Sequence, residues 1–270
     1  MLEAVINVSE GRDGHTIAEI GRAAGDRLLD VHCDPHHHRS VFTLAGDADP
    51  VERAALALAR RAVELLDISS HEGVHPRLGV VDVVPFVPYT VAFDVALGAR
   101  TRFAETFSAD GVPCFLYGPE RSLPEVRREA WVSLQPDIGP GEPHPTAGAC
   151  CVGAREVLIA YNLVIDASLA RARQIARQLR GPAVRSLGLP LGEASQVSFN
   201  LIEPTTVGPA EIYDQVAALV TIERAELVGL VPAAVLEPIP ASRFAQLGLS
   251  EDRSVEARLA STRHASGPID

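Results

Sequence analysis

The sequence predicts a mixed α/β protein of the α+β type that folds as two compact units. The chain of 270 residues exceeds the usual size of one small domain. Its composition, with 47% hydrophobic and 22% charged residues, is that of an ordinary globular protein. Segments with the two-residue period of strands also alternate along the chain with segments of helical period.

The first half of the chain predicts the order strand, helix, strand, strand, helix, strand. Leu2 to Val8 alternates and is β-branched, so it favours a strand, and Asp13 can cap a helix that runs to about Gly25. Pro50 suits the first turn of a helix over 50–67, where apolar residues recur at helical spacing. The remaining strands are predicted at 28–33, 40–44 and 80–86. This order is the split unit of ferredoxin-like folds, in which helices pack on one face of a mixed or antiparallel sheet.

Later segments extend the first unit and predict a second unit of the same kind. After a helix at 91–110, the chain predicts a strand at 112–117, a short helix at 123–130 and a strand at 157–164. Between them lies a Pro/Gly-rich stretch over 135–148, and a loop of that length is usually functional or disordered. The second unit is predicted from a helix at 168–179, strands near 184–187 and 195–201, a helix at 209–220, a strand at 225–230 and a final helix at 251–260. We place the domain boundary near Asp166, which gives units 1–165 and 166–270.

Charge and composition exclude several classes of function. The net charge of −11 argues against nucleic-acid or anionic-membrane partners, because either needs a basic face. All 24 Lys and Arg residues are arginines. Schiff-base chemistry, pyridoxal phosphate attachment and a Walker A loop, each of which requires lysine, are therefore excluded. The four cysteines fit neither a metal pattern nor a disulfide framework. With no signal-peptide pattern and no apolar run of about 20 residues, we expect a cytoplasmic protein.

The segment His71-Glu-Gly-Val-His75-Pro76-Arg77-Leu-Gly79 carries the strongest functional signal. Gly73 disfavours a helix, and Pro76 pushes His75 toward extended geometry. The segment leads into an apolar run that ends at Pro88, which predicts a buried strand. An imidazole on a stiff loop before a buried strand is typical of a catalytic group, although His71 and His75 also fit simple surface positions.

With these segments in place, the chain resembles the formiminotransferase domain family from Asn7 to about Pro232. The resemblance rests on seven motifs in order: Asn7-Val-Ser-Glu-Gly11; the 71–79 segment with Asp82-Val-Val-Pro-Phe-Val-Pro88; Pro136-Asp-Ile-Gly-Pro140; His144-Pro-Thr-Ala-Gly148 with Val152-Gly-Ala-Arg155; Leu158-Ile-Ala-Tyr-Asn162; Gln196-Val-Ser-Phe-Asn200; and Leu227-Val-Gly-Leu-Val-Pro232. It implies two α/β units around a folate cleft, usually in a homodimer, and a cytoplasmic transferase of histidine degradation and one-carbon metabolism. The implied reaction moves a formimino group from N-formimino-L-glutamate to N5 of tetrahydrofolate, a co-substrate, without a metal.

The resemblance also implies the site residues. The family's catalytic histidine corresponds to His75, and one imidazole that titrates near neutrality can take a proton from N5 and give one to the departing glutamate nitrogen. Arg39 and Arg77 are candidates for binding substrate carboxylates, since guanidinium groups bind them in a bidentate way. Asn7 and Glu10 are candidates for the pterin ring, or else cap the first helix. The folate-binding loop corresponds to Gly139, Pro140, Gly141, Glu142, Pro143, His144, Pro145, Thr146, Ala147 and Gly148, or else is a surface crossover.

The chain departs from the family in the run His36–His38, where relatives commonly have asparagine before the Arg39 position. His32 stands where the animal enzymes often have an acid. If that acid orients the catalytic imidazole, its partner in this chain is Asp34 or is absent. The second unit lacks about two dozen residues of longer relatives, and the cyclodeaminase half is missing. Three alternatives stay open: transfer of a formyl group or cyclisation of 5-formyltetrahydrofolate, a folate-binding module without turnover, and a zinc hydrolase built from Asp34 and the histidines at 36–38, 71 and 75.

Overall fold

The structure is a computed structural model that describes residues 1–73 and 77–265. The chain divides into two compact units, Met1–Glu156 and Val157–Asp270. The sequence places the division at 165/166 instead. The difference is one strand, Ile159–Ile165, which pairs on both sides with strands of the second unit.

The first unit contains a six-stranded mixed sheet. Its strands and helices, in chain order, are β1 (Leu2–Val8), α1 (Gly14–Arg22), β2 (Leu28–Asp34), β3 (Arg39–Gly46), α2 (Ala48–Leu65), β4 (Val81–Pro88), α3 (Phe93–Ala109), β5 (Cys114–Tyr117), α4 (Leu123–Glu129) and β6 (Cys150–Ala154). The strand order across the sheet is β2-β3-β1-β4-β6-β5. The first four strands pair antiparallel, whereas β6 lies parallel to both β4 and β5.

Alternation along β1 decides which face of this sheet the long helices cover. Leu2, Ala4, Ile6 and Val8 are fully buried in one core together with apolar residues of α1, α2 and α3. The opposite face carries a smaller cluster in which Val126 of α4 packs against residues of β4, β5 and β6. Asp13 caps α1, as its position in the sequence predicts: its carboxylate accepts hydrogen bonds from the backbone N–H groups of His15 and Thr16.

The second unit is a four-stranded antiparallel sheet with its own core. Its elements are β7 (Ile159–Ile165), α5 (Leu169–Leu179), β8 (Val184–Leu191), β9 (Ala194–Leu201), α6 (Pro209–Ala217), β10 (Ile222–Val228), α7 (Ala233–Leu236) and α8 (Val255–Ala265). The strand order is β10-β7-β9-β8, and apolar residues of α5 and α6 share a core with the sheet. The prediction of two ferredoxin-like units in an α+β protein is confirmed.

Two local predictions differ from the structure. Strand β6 is absent from the sequence-based prediction, although it lies inside the first sheet. In the second unit, the two short strands predicted near 184–187 and 195–201 are the arms of one hairpin in which eight residues pair with eight. No helix in the described part of the chain is long and apolar enough to cross a membrane.

Candidate functional site

Three strand ends of the first unit meet at one edge of its sheet. In β1, Asn7 lies opposite Val41 of β3 and Val83 of β4, and the pairing with β4 shifts in register between Asn7 and Val8. At this edge of the sheet β1 ends, and β3 and β4 begin. Because antiparallel neighbours start where β1 ends, the β1–α1 turn, the β2–β3 turn and the segment before β4 are brought together.

Glu10 fixes the conformation of the β1–α1 turn. Its Oε1 accepts hydrogen bonds from the backbone N–H groups of Arg12, at 2.7 Å, and Asp13, at 3.0 Å. The next residue, Gly11, lies so close to the β2–β3 turn that a Cβ atom added to it would be 2.4 Å from the carbonyl oxygen of Asp34. The side chain of Asn7 donates to the carbonyl oxygen of Val5 at 3.3 Å. Roles for Asn7 and Glu10 in substrate binding stay predictions.

Asp34 and Arg39 begin and end the β2–β3 turn, where they are partners in the strand pairing. The carboxylate of Asp34 binds His37 twice: Oδ1 accepts from the backbone N–H at 2.9 Å, and Oδ2 lies 2.5 Å from Nδ1 of the ring. Burial lowers the pKa of Arg39, while the charges of Asp34 and Asp82 oppose that shift. Within the described residues, the imidazole that Asp34 orients is that of His37.

Arg77 lies just before β4, and its guanidinium group covers Gly73. A Cβ atom added to Gly73 would be 2.4 Å from Nη2 of Arg77 and 3.0 Å from the carbonyl oxygen of His37. Burial lowers the pKa of Arg77, and the charge of Asp82 opposes that effect. The structure thus brings Arg77 to the same turn as Asp34 and Arg39. His75, the predicted catalytic residue, lies outside the described residues, as do Val74 and Pro76.

Two further histidines pack face to edge beside these residues. The ring centroids of His38 and His71 are 4.2 Å apart at an interplanar angle of 74°. Nδ1 of His38 accepts the backbone N–H of Gly11 at 3.1 Å, which assigns the proton of the neutral ring to Nε2. Burial, followed by the charge of Arg77, lowers the pKa of His71 to about 4. The ring of His71 is therefore neutral near pH 7, and its Nε2 atom has no hydrogen-bond partner among the described residues.

The predicted folate-binding loop is joined by its backbone to the segment before β4. The N–H of Val80 donates to Ala147 and the N–H of Ala149 donates to Leu78, each at 2.9 Å. Gly79 and Gly148 form the β-bridge between these bonds, and Gly148 has a positive φ of 71°. A Cβ atom on either glycine would be 2.3 Å from a backbone carbonyl oxygen of the other strand. Only glycine fits this crossing without displacement of the backbone.

The loop itself is closed by its own hydrogen bonds. His144 and Gly148 exchange both backbone bonds, at 2.8 and 2.9 Å, and Nδ1 of His144 accepts the N–H of Ala147 at 3.1 Å. Residues 141–143 are exposed, whereas Ala147 and Gly148 are buried. The loop thus combines an exposed surface with an end that is fixed beside Arg77. Whether this surface binds folate stays a prediction.

Sequence reasoning missed the ion pair beneath this segment. Asp82 of β4 is 2% exposed, and its carboxylate accepts two hydrogen bonds from the guanidinium group of Arg127 in α4, at 2.5 and 3.2 Å. It also accepts the backbone N–H of Leu78 at 2.9 Å. A lone acid within an apolar strand is the signal that predicts such a partner, because a buried charge must be paired. Through the bond to Leu78, this pair fixes the start of β4 next to Arg77.

Removal of the Arg127 charge tests how much the pair of Asp82 and Arg127 contributes to the stability of the protein. We expect Arg127→Leu to lower the free energy of unfolding by about 3–5 kcal/mol, because the buried carboxylate of Asp82 loses its main partner. The control is Arg128→Leu on the same helix, where a side chain that is 64% exposed pairs with Glu129. We expect that change to cost less than about 0.5 kcal/mol. Urea unfolding measures both, and equal midpoints for the two variants would contradict the expectation.

The described histidines, cysteines and acids do not form a group of three that could hold a metal ion. In the site, the polar atoms of Asp34 and His37 bind each other. What the arrangement offers is a set of arginine side chains for anionic groups and several neutral or carboxylate-bound imidazoles for proton transfer.

The sequence is similar to that of several known proteins. The sequence model described as formiminotransferase domain, N-terminal subdomain, matches residues 1–155. A glutamate formimidoyltransferase from Thermoplasma acidophilum is 33% identical, with 96% of this chain and 97% of that protein aligned. A glutamate formimidoyltransferase from Streptococcus pyogenes serotype M1 is 32% identical over 87% and 90%. The formimidoyltransferase-cyclodeaminase of Sus scrofa is 32% identical over 87% of this chain, which spans about half of that relative.

Proposed function

The chain belongs to the formiminotransferase family, and from that membership we propose that it transfers a formimino group from N-formimino-L-glutamate to N5 of tetrahydrofolate. The match to two proteins named glutamate formimidoyltransferase over at least 90% of their length supports this activity. As in the sequence-based expectation, the enzyme works in histidine degradation and one-carbon metabolism. We further propose that it is a cytoplasmic homodimer.

One structural observation carries the proposal: the bridge between Gly79 and Gly148 joins the loop expected to bind folate to the segment that contains His75. The described residues on both sides of positions 74–76 lie against the β2–β3 turn, which contributes Arg39 and the pair of Asp34 and His37. Side chains suited to binding anions and side chains suited to transferring protons thus lie next to the 139–148 loop, which has an exposed surface. An arrangement that binds two substrates next to each other accelerates a reaction between them, because it fixes their distance and orientation.

The proposed reaction requires the transfer of protons and the binding of several carboxylates. N5 of the reduced pterin attacks the formimino carbon, so N5 must lose a proton, and the nitrogen of glutamate must gain one as its bond to that carbon breaks. His75 is proposed as the general acid/base for this exchange. N-formimino-glutamate carries two carboxylates and the folate tail carries more, so Arg39 and Arg77 are proposed to bind them.

A spectrophotometric assay tests the proposal. The purified protein is mixed with tetrahydrofolate and N-formimino-L-glutamate, and the 5-formimino product is followed after conversion by acid. Parallel reactions contain N-formyl-L-glutamate with tetrahydrofolate, or 5-formyltetrahydrofolate alone. We expect a kcat/KM at least tenfold higher with the formimino donor. A preference for the formyl donor, or turnover of 5-formyltetrahydrofolate alone, would replace the proposal by the corresponding alternative, and binding of tetrahydrofolate without turnover would make the chain a binding module.

A further inference from the structure

Arg12, in the β1–α1 turn, is a cation that the proposed reaction has not yet used. Its backbone N–H donates to Oε1 of Glu10 at 2.7 Å, and its Nε donates to the carbonyl oxygen of Pro35 in the β2–β3 turn at 3.0 Å. The two bonds fix the residue at both ends, so its guanidinium group is oriented before any ligand binds. Such preorganisation lowers the entropic cost of binding.

The terminal nitrogens of Arg12 are available to a ligand. The residue is exposed, and neither Nη1 nor Nη2 makes a hydrogen bond or an ion pair with the residues that the structure describes. The acids of the two neighbouring turns are bound by other groups: Glu10 accepts backbone N–H groups, and Asp34 binds His37. The N–H groups on Nη1 and Nη2 can therefore donate to a carboxylate in a bidentate way.

Arg12 lies beside a second cation of the site. Burial is the main cause that lowers the pKa of Arg77, and the charge of Arg12 adds to that shift while Asp82 opposes it. Burial also lowers the pKa of His38 and His71 most, and the charge of Arg12 contributes to both shifts. The guanidinium group of Arg12 is therefore close to Arg77 and to both rings. Two neighbouring cations repel each other, and an anion bound beside them relieves that repulsion.

The order of the strands indicates which substrate Arg12 contacts. In the first sheet, β1 and β6 lie on opposite sides of β4. The β1–α1 turn follows β1 and the 139–148 loop precedes β6, so the segment before β4 separates the two. From the first side, Oγ of Ser9 donates to the carbonyl oxygen of Gly79 at 2.9 Å, and from the other side Gly148 forms its bridge with Gly79. With folate on the 139–148 loop, the side of Arg12 is left to the formimino donor.

We propose that Arg12 binds the γ-carboxylate of N-formimino-L-glutamate and so selects a donor with a charged side chain, a proposal that rests on the proposed function. The α-carboxylate is attached to the carbon that bears the reacting nitrogen, so it lies close to the reacting atoms. The γ-carboxylate is two methylene groups further away, which fits an exposed guanidinium group at the margin of the site. A γ-carboxamide is uncharged and offers one acceptor oxygen, so a donor derived from glutamine cannot make the bidentate contact.

Comparison of two donors tests this role. The kcat/KM is measured with N-formimino-L-glutamate and with N-formimino-L-glutamine, each at saturating tetrahydrofolate. We expect Arg12→Gln to lower kcat/KM for the glutamate donor by about 10-fold to 100-fold, mainly through KM, because a charge-assisted bidentate contact is lost. With the glutamine donor, the same substitution is expected to change kcat/KM by less than about threefold. The KM for tetrahydrofolate is expected to stay within about twofold of wild type.

Two further variants separate charge from geometry. The matched control is Arg22→Gln, which removes an exposed arginine from the last turn of α1, where it makes no hydrogen bond or ion pair with described residues. We expect its kinetic constants with both donors to stay within about twofold of wild type. Arg12→Lys keeps the charge but not the bidentate geometry, so we expect a smaller loss with the glutamate donor, about threefold to tenfold.

A purely structural role for Arg12 predicts a different result. Loss of the link to Pro35 alone would lower kcat/KM by the same factor with both donors, and that equality would overturn the proposal. So would a rise in KM for tetrahydrofolate without a change for the donor. With a donor derived from isoglutamine, whose α-carboxylate is an amide, the full effect of Arg12→Gln is expected, and its disappearance there would refute the γ assignment. If thermal unfolding shows that Arg12→Gln fails to fold, the donor comparison with Arg12→Lys decides.

Ligand binding distinguishes failure of this proposal from failure of the proposed function. N-acetyl-L-glutamate, an unreactive analogue of the donor, and N-acetyl-L-glutamine are titrated by calorimetry into wild type and Arg12→Gln. We expect wild type to bind the glutamate analogue at least about tenfold more tightly, and the variant to bind both about equally. If wild type shows this preference but does not transfer the formimino group, the proposed function fails and the carboxylate site stands. If wild type transfers the group but lacks the preference, or the variant keeps it, the site proposal alone fails.

Discussion

Replacement of His75 by alanine is expected to lower kcat for formimino transfer by about 100-fold to 10,000-fold while tetrahydrofolate still binds. General acid/base catalysis typically contributes this much, because proton transfer must otherwise go through water. Binding is retained because the anions are expected to be held by Arg39 and Arg77. Steady-state kinetics with N-formimino-L-glutamate measures the first quantity and fluorescence titration with tetrahydrofolate the second.

The control for this variant is His15→Ala. The side chain of His15 is 81% exposed on α1, and its Nε2 atom lies 3.8 Å from the carboxylate of Glu19 on the same helix. We expect its kinetic constants to stay within about twofold of wild type. If kcat of His75→Ala lies within a few-fold of wild type, His75 is not the general acid/base, whatever its position. If both kcat and the affinity for tetrahydrofolate fall strongly, His75 has a structural role in the site instead of a catalytic one.

Replacement of Gly148 by alanine is expected to lower the free energy of unfolding by about 3 kcal/mol or more. Its φ of 71° is unfavourable for alanine, which costs about 1–3 kcal/mol. The added Cβ atom would also be 2.3 Å from the carbonyl oxygen of Leu78 and 2.9 Å from Cα of Gly79, and these are backbone atoms that cannot rotate away. The bridge between the two loops must therefore open or shift.

Gly141→Ala is the matched control in the same loop, because no atom lies within 4 Å of the position of its Cβ and its φ is not in the left-handed region. We expect it to change stability by less than about 0.5 kcal/mol. In calorimetry, 3 kcal/mol corresponds to a fall in Tm of about 6–12 °C for a unit of this size. If Gly148→Ala and Gly141→Ala melt within about 2 °C of each other, the crossing of the two loops is less tight in solution than these distances require.

The sequence predicts the fold well where one face of an element is exposed. Alternation identifies β1, and Asp13 marks the start of α1, because these signals depend on local contrast between apolar and polar residues. Strand β6 lacks that contrast. It lies between two parallel neighbours and is buried throughout, so its sequence Cys-Cys-Val-Gly-Ala has no period. Gly153 also suggests a break in a strand. In the structure it lies within β6, and glycine is required there because an added Cβ atom would be 2.1 Å from the ring of Tyr117.

The site is predictable in its parts but not in its contacts. The hairpin register follows from the pattern, so the approach of Asp34 to Arg39 could be expected from the sequence. The bond from Asp34 to His37 could not, because it depends on a turn in which His38 adopts a φ of 51°, which is uncommon for histidine. The pairing of Asp82 with Arg127 joins residues 45 positions apart in sequence, and only the packing of α4 on the sheet brings them together.

The position of β6 has a consequence for how the protein is made on the ribosome. The strand is the last of its unit to be synthesised, yet it is inserted between β4 and β5, which are complete by Tyr117. A nascent chain that ends before Cys150 therefore carries two strands with unpaired backbone edges, a state that invites association with other chains. We expect the first unit to become resistant to proteolysis only when the chain through Ala154 has left the exit tunnel, and earlier truncations to aggregate.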